Sequence, residues 1–222
     1  MGTAAIFDFD GVIVDSIAIH EAGWRQIAQE DGRPFSRELF ERGIGLKNEP
    51  FISEVLQWSS NPTEIAAIIA RKEKHYQELI SNGAIHLIPE TIAFIRQLFH
   101  AHIPCAIGTS STQKNLDSLF SRYGELKTFF RTCVTKEDVK RGKPDPEVFL
   151  VAARRLETPP SSCVVFEDAP LGIVAAKNGG MKAVALTTTF PQATLQAAHP
   201  DIFVNSLATF PVQDFFRSII QI

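Results

Sequence analysis

Apolar positions along this chain follow two periods, and the switching between them predicts its architecture. Short unbroken apolar runs read as buried strands. The first climbs from Ala4 through Phe7 into Asp8. Others are Ile103 to Gly108, Thr132 to Val134, Cys163 to Phe166 and Ala183 to Leu186, with Ile202 to Val204 as a sixth. Runs this short, bounded by polar or turn-forming residues, suit strands covered on both faces. Between them lie stretches of helical spacing. Asn61-Pro62-Thr63-Glu64 offers an N-cap, a proline in the first turn and an acid behind it. Ile65, Ile68, Ile69, Tyr76, Leu79 and Ile80 then line one face. Asp145-Pro146-Glu147 starts a second helix, with Val148, Phe149, Val151, Ala152 and Leu156 on its apolar side. Ala169-Pro170 opens a third, closed by Gly179-Gly180. Strands alternating with helices predict an α/β fold, a parallel sheet with helices on both faces.

Residues 15–85 interrupt that alternation with several helical segments and no convincing strand. They are expected to form a small α-helical cap domain inserted after the first strand. Residues 1–14 and 86–222 would then make up the α/β core, with hinges near Val14 to Ser16 and Ser81 to Pro89. The composition is that of an ordinary globular protein: 222 residues, 45% hydrophobic and 21% charged. A net charge of −3 without a long run of one sign argues against nucleic acid or an anionic membrane as partner. No apolar run approaches the roughly 18 residues of a membrane span, and no charged leader precedes an apolar stretch. Cys105, Cys133 and Cys163 are widely spaced in apolar stretches, without Cys-x-x-Cys, which favours core packing in a reducing compartment. These features lead to the expectation of a cytoplasmic protein, a monomer rather than an oligomer.

The candidate chemistry sits at the ends of the predicted strands. Asp8 and Asp10 are two apart, so a strand would aim both to one side, and Gly11 lets the chain turn behind them. Two carboxylates so placed repel each other, and burial adds to the penalty, so a divalent cation is the expected counter-charge. The second core strand ends in Thr109-Ser110-Ser111, a hydroxyl and successive N–H groups able to hold an anion. Lys143 stands between Gly142 and Pro144 ahead of a capped helix, and a fixed ammonium there can neutralise a phosphoryl oxygen. The apolar run from Cys163 ends in Glu167-Asp168, a second acidic pair that suits Mg²⁺. Each of these taken singly also reads as a turn, a helix cap or a surface lysine.

Taken together, in this order and along nearly the whole chain, they resemble the four motifs of the haloacid dehalogenase-like hydrolases. The run Glu167-Asp168-Ala169-Pro170-Leu171-Gly172-Ile173 and the early insertion look most like the β-phosphoglucomutase and sugar-phosphatase branch. The resemblance implies a Rossmann-like core and a Mg²⁺ cofactor. It implies Asp8 as nucleophile and Asp10 as general acid, then base, its backbone carbonyl on the metal. Thr109, the Ser110 amide and Lys143 would hold the transferring phosphoryl, next to Gly11. Asp168 would bind the metal, with Glu167 doing so directly or through water. His20, four residues before Trp24, would lie near the mouth of the site. Gly43-Ile44-Gly45-Leu46-Lys47 resembles a mobile loop that dips toward the core. Lys47 is its nearest cation, one residue displaced from an arginine of the mutase. Lys72, beside Arg71, would contact the far end of the substrate. Three readings follow: a phosphatase acting on a small phosphorylated metabolite, a hexose-phosphate mutase, or a catalytically idle binding protein on this fold.

Overall fold

The computed structural model describes residues 2–209 together with Val212 and Phe216. Its strands are β1 (Ala4–Phe7), β2 (Val14–Asp15), β3 (His86–Leu87), β4 (Cys105–Gly108), β5 (Thr132–Val134), β6 (Cys163–Glu167), β7 (Lys182–Leu186) and β8 (Ile202–Val204). Six of them form one parallel sheet in the order β5-β4-β1-β6-β7-β8. The predicted α/β class and all six predicted core strands are present. The central strand β1 is wholly buried, and its alternation sorts side chains to two cores. Ala5 and Phe7 join one cluster, with Ile107, Val164 and Phe166. Ala4 and Ile6 join the other, with Ala106, Val165 and Ala183.

Helices close both faces. Helix α5 (Pro89–His100) and α6 (Gln113–Arg122) supply Phe94, Ile95, Leu98, Leu116 and Leu119 to the first cluster. Helix α7 (Glu147–Arg155) and α8 (Pro170–Asn178) supply Val148, Phe149, Ala152, Ile173 and Ala176 to the second. The ring of Phe7 stacks on Phe166 with centroids 4.6 Å apart, locking the central strand pair. The three cysteines are free thiols, with Cys105 and Cys163 buried in the core.

Helices α1 (Ile17–Asp31), α2 (Arg37–Gly43), α3 (Asn48–Pro50) and α4 (Pro62–Ser81) follow β1 and β2. They gather a third apolar cluster of their own around Trp24, Phe40, Phe51, Ile52, Trp58 and Ile68. Asn61 caps α4 as its sequence predicts, its side-chain oxygen accepting from the N–H groups of Thr63 and Glu64. Ile19 of α1 and Tyr76 and Ile80 of α4 pack into the sheet's cluster instead, so these two helices bridge the layers. Where strands were not expected, Val14–Asp15 pairs antiparallel with His86–Leu87. This two-residue ribbon ties the chain's exit from the sheet region to its return.

Candidate active site

Register places the site. Phe7 pairs with Ile107 on one side and Phe166 on the other. The next residue, Asp8, therefore emerges between the ends of β4 and β6, level with Gly108 and Glu167 and one residue short of Thr109. Its N–H donates to the Phe166 carbonyl at 3.0 Å, and that of Thr109 to the Val134 carbonyl at 2.9 Å. In parallel sheets the carboxyl ends of the strands are where ligands bind. Here the chain turns sharply after Asp10. Gly11 has φ +77°, and a Cβ there would come within 1.9 Å of an Asp168 oxygen, so a side chain is excluded twice.

Lys143 is the hub of the buried charges. Its Nζ stands 2.9 Å from Asp8 Oδ1 and 2.5 Å from Glu167 Oε1. The first contact is an ion pair without an aligned hydrogen bond. Glu167 Oε2 accepts from the N–H groups of Asp168 and Ala169, each at 2.9 Å, so both its oxygens are occupied. The fit against its backbone is tight, for a Cβ on Gly172 would lie 1.7 Å from Glu167 Oε1. Both oxygens of Asp168 are buried without an aligned hydrogen-bond donor. Burial pushes the Asp8 carboxyl up to about 7 against the pull of Lys143, with Glu167 and Asp10 adding to the rise. Burial, then Glu167 and Asp8, push Asp168 well above the ordinary range, against smaller pulls from Thr189 and Lys143.

Asp8, Glu167 and Asp168 each bring one oxygen within 4.8 Å of the others. Three carboxylates against the one Lys143 ammonium leave two negative charges to balance when all are ionised. Burying that excess is costly, and a divalent cation with hard oxygen ligands removes it. The donor set therefore fits such a cation. Asp8 and Asp168 have oxygens without aligned donors to offer, whereas Glu167 is engaged in holding Lys143 and the following backbone.

Asp10 is in the opposite electrostatic state. Its Oδ1 accepts from Ser16 Oγ and meets His20 Nε2 at 3.0 Å, and its Oδ2 accepts from Ser111 Oγ at 2.5 Å. Burial alone would raise its pKa, but His20, Ser111 and Ser16 outweigh it and bring it to about 2. His20 Nδ1 in turn lies 2.8 Å from Lys72 Nζ, and the ring stacks on Tyr76 with centroids 4.2 Å apart. An ammonium can only donate, so Nδ1 accepts and the ring proton sits on Nε2, directed at Asp10. Lys72 is about 1% exposed and also pairs with Glu73 Oε1 at 3.1 Å. Burial lowers its pKa, and Glu73 and Asp10 work against that.

A cavity of about 90 Å³ opens over Asp8, Asp10, Thr109, Ser110 and Lys143 on the sheet side. Its other walls carry His20, Trp24, Phe40, Phe51, Lys72 and Glu73, with Asn48 and Asn115. The structure thus brings together Asp8, Asp10, Thr109, Ser110, Lys143, His20 and Lys72 around one space. Gly11, Glu167 and Asp168 stand outside the cavity wall, with Glu167 tied to it through Lys143. Lys47 is not brought into the cavity. Its Nζ donates to the Val139 carbonyl at 2.8 Å and to those of Lys136 and Lys140 at 3.3 and 3.5 Å. Backbone oxygens of the loop after β5 have captured it. The Ser110 hydroxyl donates to the Gly45 carbonyl at 3.0 Å, so the glycine loop does meet the strand ends. Ser16, Ser111, Asn48, Glu73 and Asn115 joined the site without a sequence signal of their own. Ser111 was within reach, next to Ser110, but the others meet their partners only through the fold.

A parallel sheet whose strand ends gather buried carboxylates around one lysine defines an acid-rich site on an α/β core. The sequence profile of the haloacid dehalogenase-like hydrolases matches residues 5–186, and the chain belongs to that family. It is 36% identical over 196 residues to the chloroplastic 5-amino-6-(5-phospho-D-ribitylamino)uracil phosphatase of Arabidopsis thaliana, covering 87% of this chain and 52% of that one. The chain thus spans about half the length of that relative. It is 34% identical over 189 residues to the beta-phosphoglucomutase of Bacillus subtilis, with 82% of each covered. The crystal structure of a HAD hydrolase of family IA, variant 3, from Entamoeba histolytica shares the fold across 100% of both chains, with a TM-score of 0.88 at 24% identity. No helix among the described residues is long and apolar enough to cross a membrane.

Proposed function

We propose that this chain is a Mg²⁺-dependent phosphatase of small phosphorylated metabolites such as sugar phosphates. The observation that carries this reading is the buried cluster of Asp8, Glu167 and Asp168 around Lys143, with Asp10 poised on a separate proton-carrying network. The names of the relatives, a phosphatase and a phosphosugar mutase, support the same class of substrate.

In the proposed reaction an Asp8 oxygen attacks phosphorus as the ester P–O bond breaks, and the substrate alkoxide departs with the bonding electrons. Lys143, the Thr109 hydroxyl and the Ser110 N–H hold the phosphoryl oxygens. The alkoxide takes a proton through Asp10. Asp10 is ionised by itself, so that proton comes from His20 Nε2 while Lys72 Nζ gives one to Nδ1. This keeps the ring neutral and leaves Lys72 as an amine until the proton that Asp10 takes from water returns along the same chain. Water then attacks the aspartyl phosphate with Asp10 as its base, which frees phosphate and restores Asp8. A cation bound by Asp8 and Asp168 would supply charge neutralisation at the transferring phosphoryl. Glu167 would keep Lys143 and the Asp168 backbone in place.

Residues 15–85 serve as a cap in this reading, with the ribbon of β2 and β3 as its hinge. Phosphatase and mutase share the first transfer and differ in the acceptor. A panel of phosphoesters with Mg²⁺, scored for inorganic phosphate and for isomerised sugar, tests the reading. Release of phosphate with transient acid-stable label on Asp8 is the expected result. Isomerised sugar without phosphate would assign the mutase reaction instead, and no turnover of any phosphoester would reject both.

A further inference from the structure

Glu73 is the one cavity-lining carboxylate, among the described residues, for which the phosphatase chemistry has no use. It comes from α4, on the helical wall facing away from the sheet. Its Oε1 takes Lys72 Nζ at 3.1 Å and Asn48 Nδ2 at 3.4 Å, and its Oε2 takes Asn115 Nδ2 at 3.4 Å. The two amide contacts are long, at the weak end of the hydrogen-bond range, and a ligand with better donors can displace them. Both cationic side chains that line the cavity are already committed. Lys143 serves Asp8 and Glu167, and Lys72 serves Glu73 and His20. Lys47, which could have served a second anion, is held by backbone carbonyls outside the cavity.

We propose that Glu73, with Asn48 and Asn115, forms a specificity subsite for a hydroxyl- or amino-bearing end of a monophosphate substrate, one that rejects a second phosphate or a carboxylate. An ionised carboxylate accepts hydrogen bonds and donates none, so it rewards O–H and N–H groups. A second anion would meet the Glu73 carboxylate in a cavity whose two lining ammoniums, Lys72 and Lys143, are already paired, and such repulsion discriminates strongly. The proposal rests on the phosphatase reading above and adds the chemical class of the substrate's far end.

The test compares kcat/KM on four matched esters with Mg²⁺ present: an aldohexose monophosphate, its amino-sugar analogue, its aldonate analogue and a hexose bisphosphate. p-Nitrophenyl phosphate, which has no far end to recognise, reports the core chemistry. The neutral and amino esters should exceed the two doubly anionic ones by about tenfold or more. Glu73→Gln keeps the shape, removes the charge and should shrink that ratio by about tenfold. Equal or better turnover of the aldonate or bisphosphate by the unaltered protein overturns the proposal. So does a Glu73→Gln variant that slows every ester by one common factor, because Glu73 would then act only by positioning Lys72. If p-nitrophenyl phosphate and all four esters are inert, the phosphatase reading itself has failed and the subsite falls with it.

Discussion

The sheet side and the helical side of the cavity solve the problem of buried charge in different ways. At the strand ends Lys143 binds two carboxylates directly, while Asp168 is left without an aligned donor. The excess negative charge suits a cation. On the helical side the charges form a closed relay from Asp10 through His20 and Lys72 to Glu73, each group partnered by the next. The sheet side is therefore built to be completed by a charge from outside, whereas the charges of the helical side are already paired with one another. That difference predicts where mutations abolish chemistry and where they only redirect it.

The sharpest contrast is at Asp8. Asp8→Asn removes the attacking oxygen's charge and should cut turnover of every phosphoester by several powers of ten while the fold persists. Activity within tenfold of the unaltered protein would move the attack to water or another residue.

Removing the cation comes next. Excess chelator should reduce turnover to background, and Mg²⁺ should restore it. The same site should report itself without turnover. Burial shifts Asp8 from 3.8 to about 7, and Asp168 is shifted the same way. Their raised values favour the folded state below the unfolded value, and that support is lost as pH rises through the folded value. A cation reverses this, since it prefers the ionised carboxylates and competes with protons. Saturating Mg²⁺ should raise Tm by on the order of 5–10 °C near pH 8, and clearly less near pH 5. A shift of equal size at both pH values would place the cation elsewhere.

On the helical side the losses should be smaller and selective. His20→Gln interrupts delivery of the proton to Asp10, worth about 10²-fold on an alkyl phosphate whose leaving group needs that proton. p-Nitrophenyl phosphate leaves as a stable anion and should lose much less. Equal losses on both would assign His20 to structure alone.

The same contrast governs what could be read from the chain. Asp8, Asp10, Thr109, Lys143 and the Glu167-Asp168 pair announce themselves because each follows an apolar strand or precedes a capped helix, and one sheet rule collects them. The helical wall depends on distant pairings. His20 meets Lys72 across 52 positions and Glu73 meets Asn115 across 42. No local spacing encodes those contacts. The ribbon of Val14–Asp15 with His86–Leu87 is two residues wide, too short for any hydrophobic period to show. Lys47 shows the limit most plainly. Its position in the glycine loop was legible, but the direction of a flexible side chain was not. Three carbonyls of the loop after β5 decided it.

Lys47 accordingly yields the smallest expected effect, and the one that best separates the two walls. As a substrate ligand it would matter only for esters large enough to reach it. Tied to the loop after β5, it acts as a latch, together with the bond from Ser110 to Gly45, that holds the glycine loop over the strand ends. A charged donor to backbone oxygen contributes about 1.5–3 kcal/mol when buried and less when partly exposed, as here. Lys47→Ala should therefore lower kcat/KM by about tenfold or less. A loop held over the strand ends would act alike on every ester, so the loss should be similar for a sugar phosphate and for p-nitrophenyl phosphate. Lys47→Arg, which can still donate to the carbonyls, should recover part of it. A loss confined to the sugar phosphate would return Lys47 to the substrate, and would mean that the loop releases it from Val139 when the site fills.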